Sequence, residues 1–267
     1  MTTDTASFRI RRPEDADVAF NRRLPTGVRA LVAIQQAGNG GSGSFLVRAD
    51  DGQRYWCKVV NNPQHPRVPT NEEIVARLGR LAGVEVCDPK LIWIPADLVG
   101  WEFVSGRFLE EGWAHGSRAT PHPVVETRTL SHRGSDDNRK RHAGFFALFD
   151  WLAGQDPQWL YADGADFAYW SHDHGHYLPG GPAWTVSTIH ANRDTAYPLA
   201  ADPTSLDPAE LNRLAETLER LTGGEIADAL ADIPGDWPVS DDELEAIVAF
   251  ADHRRPAVAR RLRHLAH

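Results

Sequence analysis

The sequence predicts an α+β chain in two lobes, a β-rich amino lobe over residues 1–130 and a mainly helical carboxyl lobe over residues 131–267. Three observations carry this. Short apolar runs at 28–34, 45–47, 54–60 and 89–95 alternate or stay brief, and are separated by Gly, Pro and Asn as strands are. A polar, charged break runs from Ser131 to Arg141. Beyond it, apolar residues recur mostly at helical spacing behind recognisable caps.

Composition narrows the class of function. With 267 residues and 42% apolar content the chain can bury a sizeable core. No apolar run approaches bilayer length, no basic-then-apolar leader opens the chain, and Cys57 and Cys87 make neither a disulfide framework nor a zinc pattern. A soluble, cytoplasmic protein without membrane association is therefore expected. A formal charge of −9 argues against broad nucleic-acid binding, which depends on Lys and Arg against phosphates. The tail from His253 to His267 reverses that balance with five arginines and no acid, a pattern that reads as a solvated helix face.

In chain order, a polar lead-in precedes the strand Val28–Ile34. The segment Gly38-Asn39-Gly40-Gly41-Ser42-Gly43-Ser44 then separates it from the strand Phe45–Val47. Strand, glycine-rich turn, strand can lay backbone N–H groups over phosphates, and a Gly-Ser tract can equally be a flexible link. Asp51-Gly52 marks a hairpin turn, and Arg54–Val60 returns from it with Trp56, Lys58 and Val60 on one face. Basic residues here are almost all arginine; Lys58, Lys90 and Lys140 are the lysines. A lysine within an apolar strand calls for an anion, or for an end position from which it snorkels to water.

After the Pro- and Asn-rich loop 61–69, Thr70-Asn71-Glu72-Glu73 fits a capping box, with Ile74, Leu78 and Leu81 as the buried stripe and Gly83 as the stop. This arrangement accounts for Glu73 locally and leaves Glu72 available to reach Lys58. Further strands are expected at Pro89–Pro95, Trp113–Pro121 and Val124–Leu130, with a helical turn near Asp97–Glu102.

From Ala143, the apolar run Phe145, Phe146, Leu148, Phe149, Leu152 forms a helix that stops at Gly154 and delivers Gln155-Asp156-Pro157-Gln158 into a turn. Trp159 and Tyr161, the turn dipeptide Asp163-Gly164, and Phe167 and Tyr169 then predict a β-hairpin. Such a hairpin returns Asp173 toward Asp156. Two carboxylates at the rims of one hairpin suit phosphoryl transfer, one orienting an attacking hydroxyl and one holding a divalent metal. His172, His174 and His176 would share a strand face as transition-metal ligands do, but Gly175 interrupts that strand. Three helices finish the chain: one opened by Asp207-Pro208 and stopped at Gly223, one opened by the capping box Ser240/Glu243, and a last one carrying Val258, Leu262 and Leu265.

The run DGQRYWCKVVNNPQHPRVPTNEEIVARLGRLAGVEV resembles the amino-lobe core of HipA-like kinases. FFALFDWLAGQD and SHDHGH resemble the catalytic loop and the Asp-His-Gly metal motif of the same group, and His115-Gly116-Ser117-Arg118 resembles another of its segments. The resemblance covers residues 28–178 and implies a two-lobed protein-kinase-like fold and an ATP- and Mg-dependent kinase. It implies that Lys58 binds nucleotide phosphates beneath Gly40, Gly41, Ser42 and Gly43, and that Glu72 anchors Lys58. It also implies that Asp156 orients the acceptor hydroxyl and that Asp173 holds magnesium, to which Gln158 can offer a carbonyl oxygen. Two departures matter: Gly154-Gln155 precedes Asp156 where the family has Asn-Thr, and Gln158 stands in a shortened loop where the family has a second metal ligand further on. A pseudokinase that binds nucleotide without transfer is the alternative these departures support. Nothing resembles the separate amino-terminal domain of the toxin members, so a toxin–antitoxin role is not expected, and no residue names the acceptor.

Overall fold

The computed structural model describes residues 20–38, 41–164 and 166–267. Gly40 of the glycine-rich turn and most of the lead-in lie outside them.

The amino-terminal half is built on a closed five-stranded barrel in the order β1-β2-β3-β7-β4. Its strands are β1 (Gly27–Gln36), β2 (Phe45–Ala49), β3 (Arg54–Lys58), β4 (Pro89–Ile94) and β7 (Gly112–Arg118). β2 and β3 form the hairpin expected at Asp51-Gly52, with Gly52 in the left-handed region at φ 79°. The barrel closes where β1 and β4 run parallel, Gly27 opposite Leu91. A Cβ on Gly27 would stand 2.1 Å from the Leu91 carbonyl oxygen, so closure requires glycine there. Phe45, Val47, Tyr55, Cys57, Ile92, Ile94 and Ala114 fill the interior together with Phe103. Phe103 comes from a small two-stranded sheet, β5 (Glu102–Val104) and β6 (Arg107–Phe108).

Between β3 and β4 runs α1 (Val68–Leu81). Its start differs from the capping box: the helix begins at Val68 with Pro69 in its first turn, and no side chain caps it. A proline whose absent N–H costs nothing in the first turn sets this boundary earlier than Thr70 would. Thr70, Asn71, Glu72 and Glu73 are consequently inside the helix and all buried. α1 packs its Ile74, Val75 and Leu78 into the core of the carboxyl-terminal half.

That half starts from a three-stranded sheet, ordered β10-β9-β8, of β8 (Pro123–Thr127), β9 (Gln158–Ala162) and β10 (Tyr169–Ser171). β9 and β10 form the hairpin the alternation predicts. α2 (Asn138–Trp151) begins five residues before Ala143, within the stretch read as a polar break, because Asn138 and His142 are buried on its inner side. Then follow α3 (Val186–Ala191), α4 (Pro208–Arg220), α5 (Gly223–Leu230) and α6 (Asp241–Leu265).

The caps of α4 and α6 are those the sequence predicts, Asp207 and Ser240. Gly223, expected as a stop, opens α5 behind a capping box of Thr222 and Glu225. The expected final helix is instead continuous with its predecessor through Pro256. Phe250, Ala251, Val258 and Ala259, on both sides of that proline, are buried in one core, and this shared packing outweighs the hydrogen bond the proline omits. Among the described residues no helix is long and apolar enough to cross a membrane.

Candidate active site

Lys58, the last residue of β3, is 7% exposed. Its ammonium donates to Glu72 Oε1 of α1 and, at 2.6 Å, to Asp173 Oδ1 in the loop after β10. Burial works against all three charges. Mutual attraction outweighs it: Lys58 is held above its ordinary pKa by Asp173 and Glu72, and both carboxylates are held below theirs, chiefly by Lys58.

Glu72 is spent entirely inside the protein. Besides Lys58 it accepts the backbone N–H groups of His174 at 2.8 Å and Gly175 at 3.1 Å, so α1 grips the loop that carries Asp173. Gly175 must be glycine for this grip, since a Cβ would press to 2.9 Å from Val68 Cγ1. Asn71 adds two donations, to the carbonyls of Gly175 and Tyr177, and accepts from Trp184 Nε1. Asp173 itself adopts φ 55°. Its side chain stays 24% exposed against 2% for Glu72, which makes it the member of the triad with an edge toward solvent.

On the opposite rim, Ala153 turns into the left-handed region and ends α2, and Gln155 Nε2 donates to the Leu178 carbonyl. Asp156 is exposed and accepts from Gln158 Nε2 at 2.9 Å. The β-ladder pairs Trp159 with Ser171, and the His172 N–H reaches the Gln158 carbonyl at 3.4 Å. Gln158 and His172 thus face each other across the hairpin, with Asp156 two residues before one and Asp173 next after the other. The donor set at this end, a partly exposed carboxylate and a side-chain amide oxygen, consists of hard oxygens suited to magnesium.

His174, pushed down to about 4 by burial, donates or accepts at Ser171 Oγ, 2.8 Å away, and is taken up structurally. Among the described residues His172 Nε2 is buried without a partner. Among the described residues no three His, Cys, Asp or Glu side chains gather as metal ligands, so the histidine reading does not stand.

The glycine-rich turn follows β1. Ser42 is buried, its carbonyl accepts from Asn62 Nδ2 at 2.8 Å, and its hydroxyl meets that of Ser44. Gly43, at φ 59°, lies against Pro63. Ser42 and Gly43 are thereby braced on the Asn-rich loop that leads from Lys58 to α1, while Gly41 is exposed.

Sequence reasoning missed Glu73. It is 1% exposed, and its two oxygens take Arg77 Nε at 2.5 Å and His115 Nδ1 at 2.5 Å, so burial, which opposes its charge, is outweighed and its pKa lies low. Four consecutive polar residues at a helix start also spell a cap, and only the proline at 69 could have signalled that the cap lies elsewhere.

Comparisons with known proteins agree with this architecture. A family model described as HipA-like kinase matches residues 31–158. The crystal structure of the Helicobacter pylori proinflammatory kinase CtkA superposes with a TM-score of 0.56 at 11% identity, covering 88% of this chain and 95% of that one. A Golgi casein kinase solved with Mn/ADP bound gives a TM-score of 0.42 at 11% identity, over 92% of this chain and 74% of its own. No curated protein matches the sequence. The fold is kinase-like, with mixed strands and helices in two lobes.

Proposed function

We propose that this chain, whose residues 31–158 match a HipA-like kinase model, is an ATP- and magnesium-dependent kinase that transfers the γ-phosphate to a hydroxyl of a protein or small molecule. The observation that carries the reading is the Lys58 ammonium, buried between Glu72 and Asp173. Burying that cation is costly unless anions meet it, and holding it fixed readies it for the phosphate oxygens of a nucleotide.

In this reading the barrel belongs to the amino lobe and the chain from β8 onward to the carboxyl lobe of one catalytic domain, so the division expected after residue 130 falls before β8, which pairs with β9. Gly40, Gly41, Ser42 and Gly43 cover the phosphates, and Lys58 binds them. Asp156, exposed at the rim, orients the acceptor hydroxyl and takes up its proton. Magnesium, held by Asp173 and Gln158, would supply charge neutralisation between the phosphates. Little covalent work falls to the protein, so rate enhancement comes from positioning and electrostatics. A cytoplasmic setting, and neither nucleic acid nor membrane as partner, fit the acidic composition and the absence of long apolar runs.

A second reading, a nucleotide-binding pseudokinase, is favoured by the Gln158–Asp156 hydrogen bond, which engages the expected base with the expected metal ligand. Incubation with γ-labelled ATP and magnesium, with and without cell extract, separates the two. Label on the chain or on a partner supports the kinase, and magnesium-dependent nucleotide binding without any transfer supports the pseudokinase. No nucleotide binding overturns both.

A further inference from the structure

Lys58 has a neighbour that the kinase roles do not use. In the ladder between β3 and β7 its Cα partner is His115. His115 is 2% exposed, and its Nδ1 meets Glu73 Oε2 while its Nε2 meets Ser117 Oγ at 3.0 Å. Glu73 accepts only, being ionised, so Nδ1 carries the proton. Two side-by-side carboxylates of α1, Glu72 and Glu73, therefore engage two basic groups that are themselves side by side in the sheet, Lys58 and His115.

Adjacent residues on a helix point about 100° apart, so one carboxylate alone leaves the helix free to roll about its axis. Two contacts at that angle, to fixed positions on one sheet, remove the roll. The other oxygen of Glu73 takes Arg77, one turn along α1, and Arg77 donates onward to the Ala229 carbonyl at the end of α5 and to Asp232. The barrel, α1 and α5 are thus joined by one buried charged chain.

We propose that His115, Glu73 and Arg77 are positioning residues: they set the roll of α1 and thereby keep Glu72 on Lys58. The importance of this for transfer rests on the kinase reading, while the positioning itself can be measured without it. Lys58, Lys90 and Lys140 are the lysines of the chain, and Lys90 is exposed. Brief acetylation with acetic anhydride, followed by peptide mass spectrometry, gives the labelling of Lys58 relative to Lys90.

In His115→Leu, Glu73 loses its sheet contact, α1 rolls, and the Lys58/Lys90 ratio rises severalfold because Glu72 no longer covers the Lys58 amine. In His115→Asn, whose amide nitrogen occupies the place of Nδ1, the ratio returns toward wild type. An unchanged ratio in folded His115→Leu, judged by near-UV circular dichroism, overturns the proposal, as does an equal rise in His115→Asn. Should His115→Leu not fold, Glu73→Met serves in its place: it keeps the length of the side chain, removes both acceptor oxygens that hold His115 and Arg77, and must raise the same ratio. In the transfer assay His115→Leu lowers kcat/KM for ATP and His115→Asn restores it. A wild-type protein without transfer overturns the kinase reading and leaves the labelling result standing.

Discussion

Lys58 and Asp173 stand 115 positions apart in the chain and meet at 2.6 Å, the first at the end of a barrel strand and the second in the loop that Glu72 and Asn71 hold from α1. Because Glu72 holds that loop through its backbone, the Asp173 side chain can be changed without releasing it. Asp173→Asn is therefore expected to keep the fold and lower phosphate transfer by about 10²- to 10³-fold, the scale of one removed electrostatic stabiliser. On the kinase reading Asp156→Ala, at an exposed turn, is expected to lower it by about 10²- to 10⁴-fold, the scale of one removed general base. Single-turnover transfer of labelled phosphate measures both, and full activity in either variant removes the role given to that residue.

Lys58→Met has a different signature, because it leaves the buried Glu72 and the partly exposed Asp173 without the cation between them. At neutral pH it should destabilise the protein by about 3–5 kcal/mol, the usual cost of breaking a buried pair from one side. In the wild type the folded-state pKa values of Glu72 and Asp173 lie below their ordinary 4.5 and 3.8. Their contribution is thus complete above those values and is lost as pH falls through and below them. In the variant burial and the repulsion between the two carboxylates act without Lys58 and raise both, so the folded state takes up protons before the unfolded chain does. Urea unfolding at pH 7.5 and 5.5 should show the deficit shrinking at the lower pH, and a constant deficit contradicts the charge coupling.

Gln158 decides between the active and inactive readings. Its amide nitrogen is occupied by Asp156, which leaves the carbonyl oxygen as the atom to offer a cation. Gln158→Ala is expected to raise the magnesium concentration for half-maximal transfer about tenfold, with the KM for ATP unchanged at saturating magnesium. An unchanged magnesium requirement rules Gln158 out as a ligand.

The legible parts of this site are those whose chemistry is local. Lys58 stood out because it interrupts an apolar strand in a chain that otherwise uses arginine, and Asp156 and Asp173 because helix stop, turn dipeptide and alternation define a hairpin around them. Glu73 and His115 were not legible as partners, since they meet across 42 positions and each has an ordinary local explanation. The boundary of α1 failed for a related reason. A Thr-x-x-Glu pattern stabilises a helix start in water, but here Val68 and Pro69 are themselves buried, and the helix begins with them.

Arg254 makes the same point and can be tested. Read as part of a solvated basic tail, it is 1% exposed. Its guanidinium donates to the carbonyls of Asp150 and Trp151 at the end of α2, at 2.5 and 2.9 Å, and to those of Arg193 and Thr195 at 3.1 and 2.6 Å. Those carbonyls at the end of α2 have no partners within the helix, and the chain turns from there into Gln155-Asp156. Arg263, nine residues on, pairs with Glu219 at the surface. Arg254→Met should therefore cost about 3–5 kcal/mol by urea unfolding, whereas Arg263→Ala should leave the unfolding midpoint nearly unchanged. Arg254→Lys should recover little, because one ammonium cannot span carbonyls that a planar fork reaches from several nitrogens. Equal, small losses at both positions would mean that α2 ends where it does without Arg254, and that the approach to Asp156 is set by the hairpin alone.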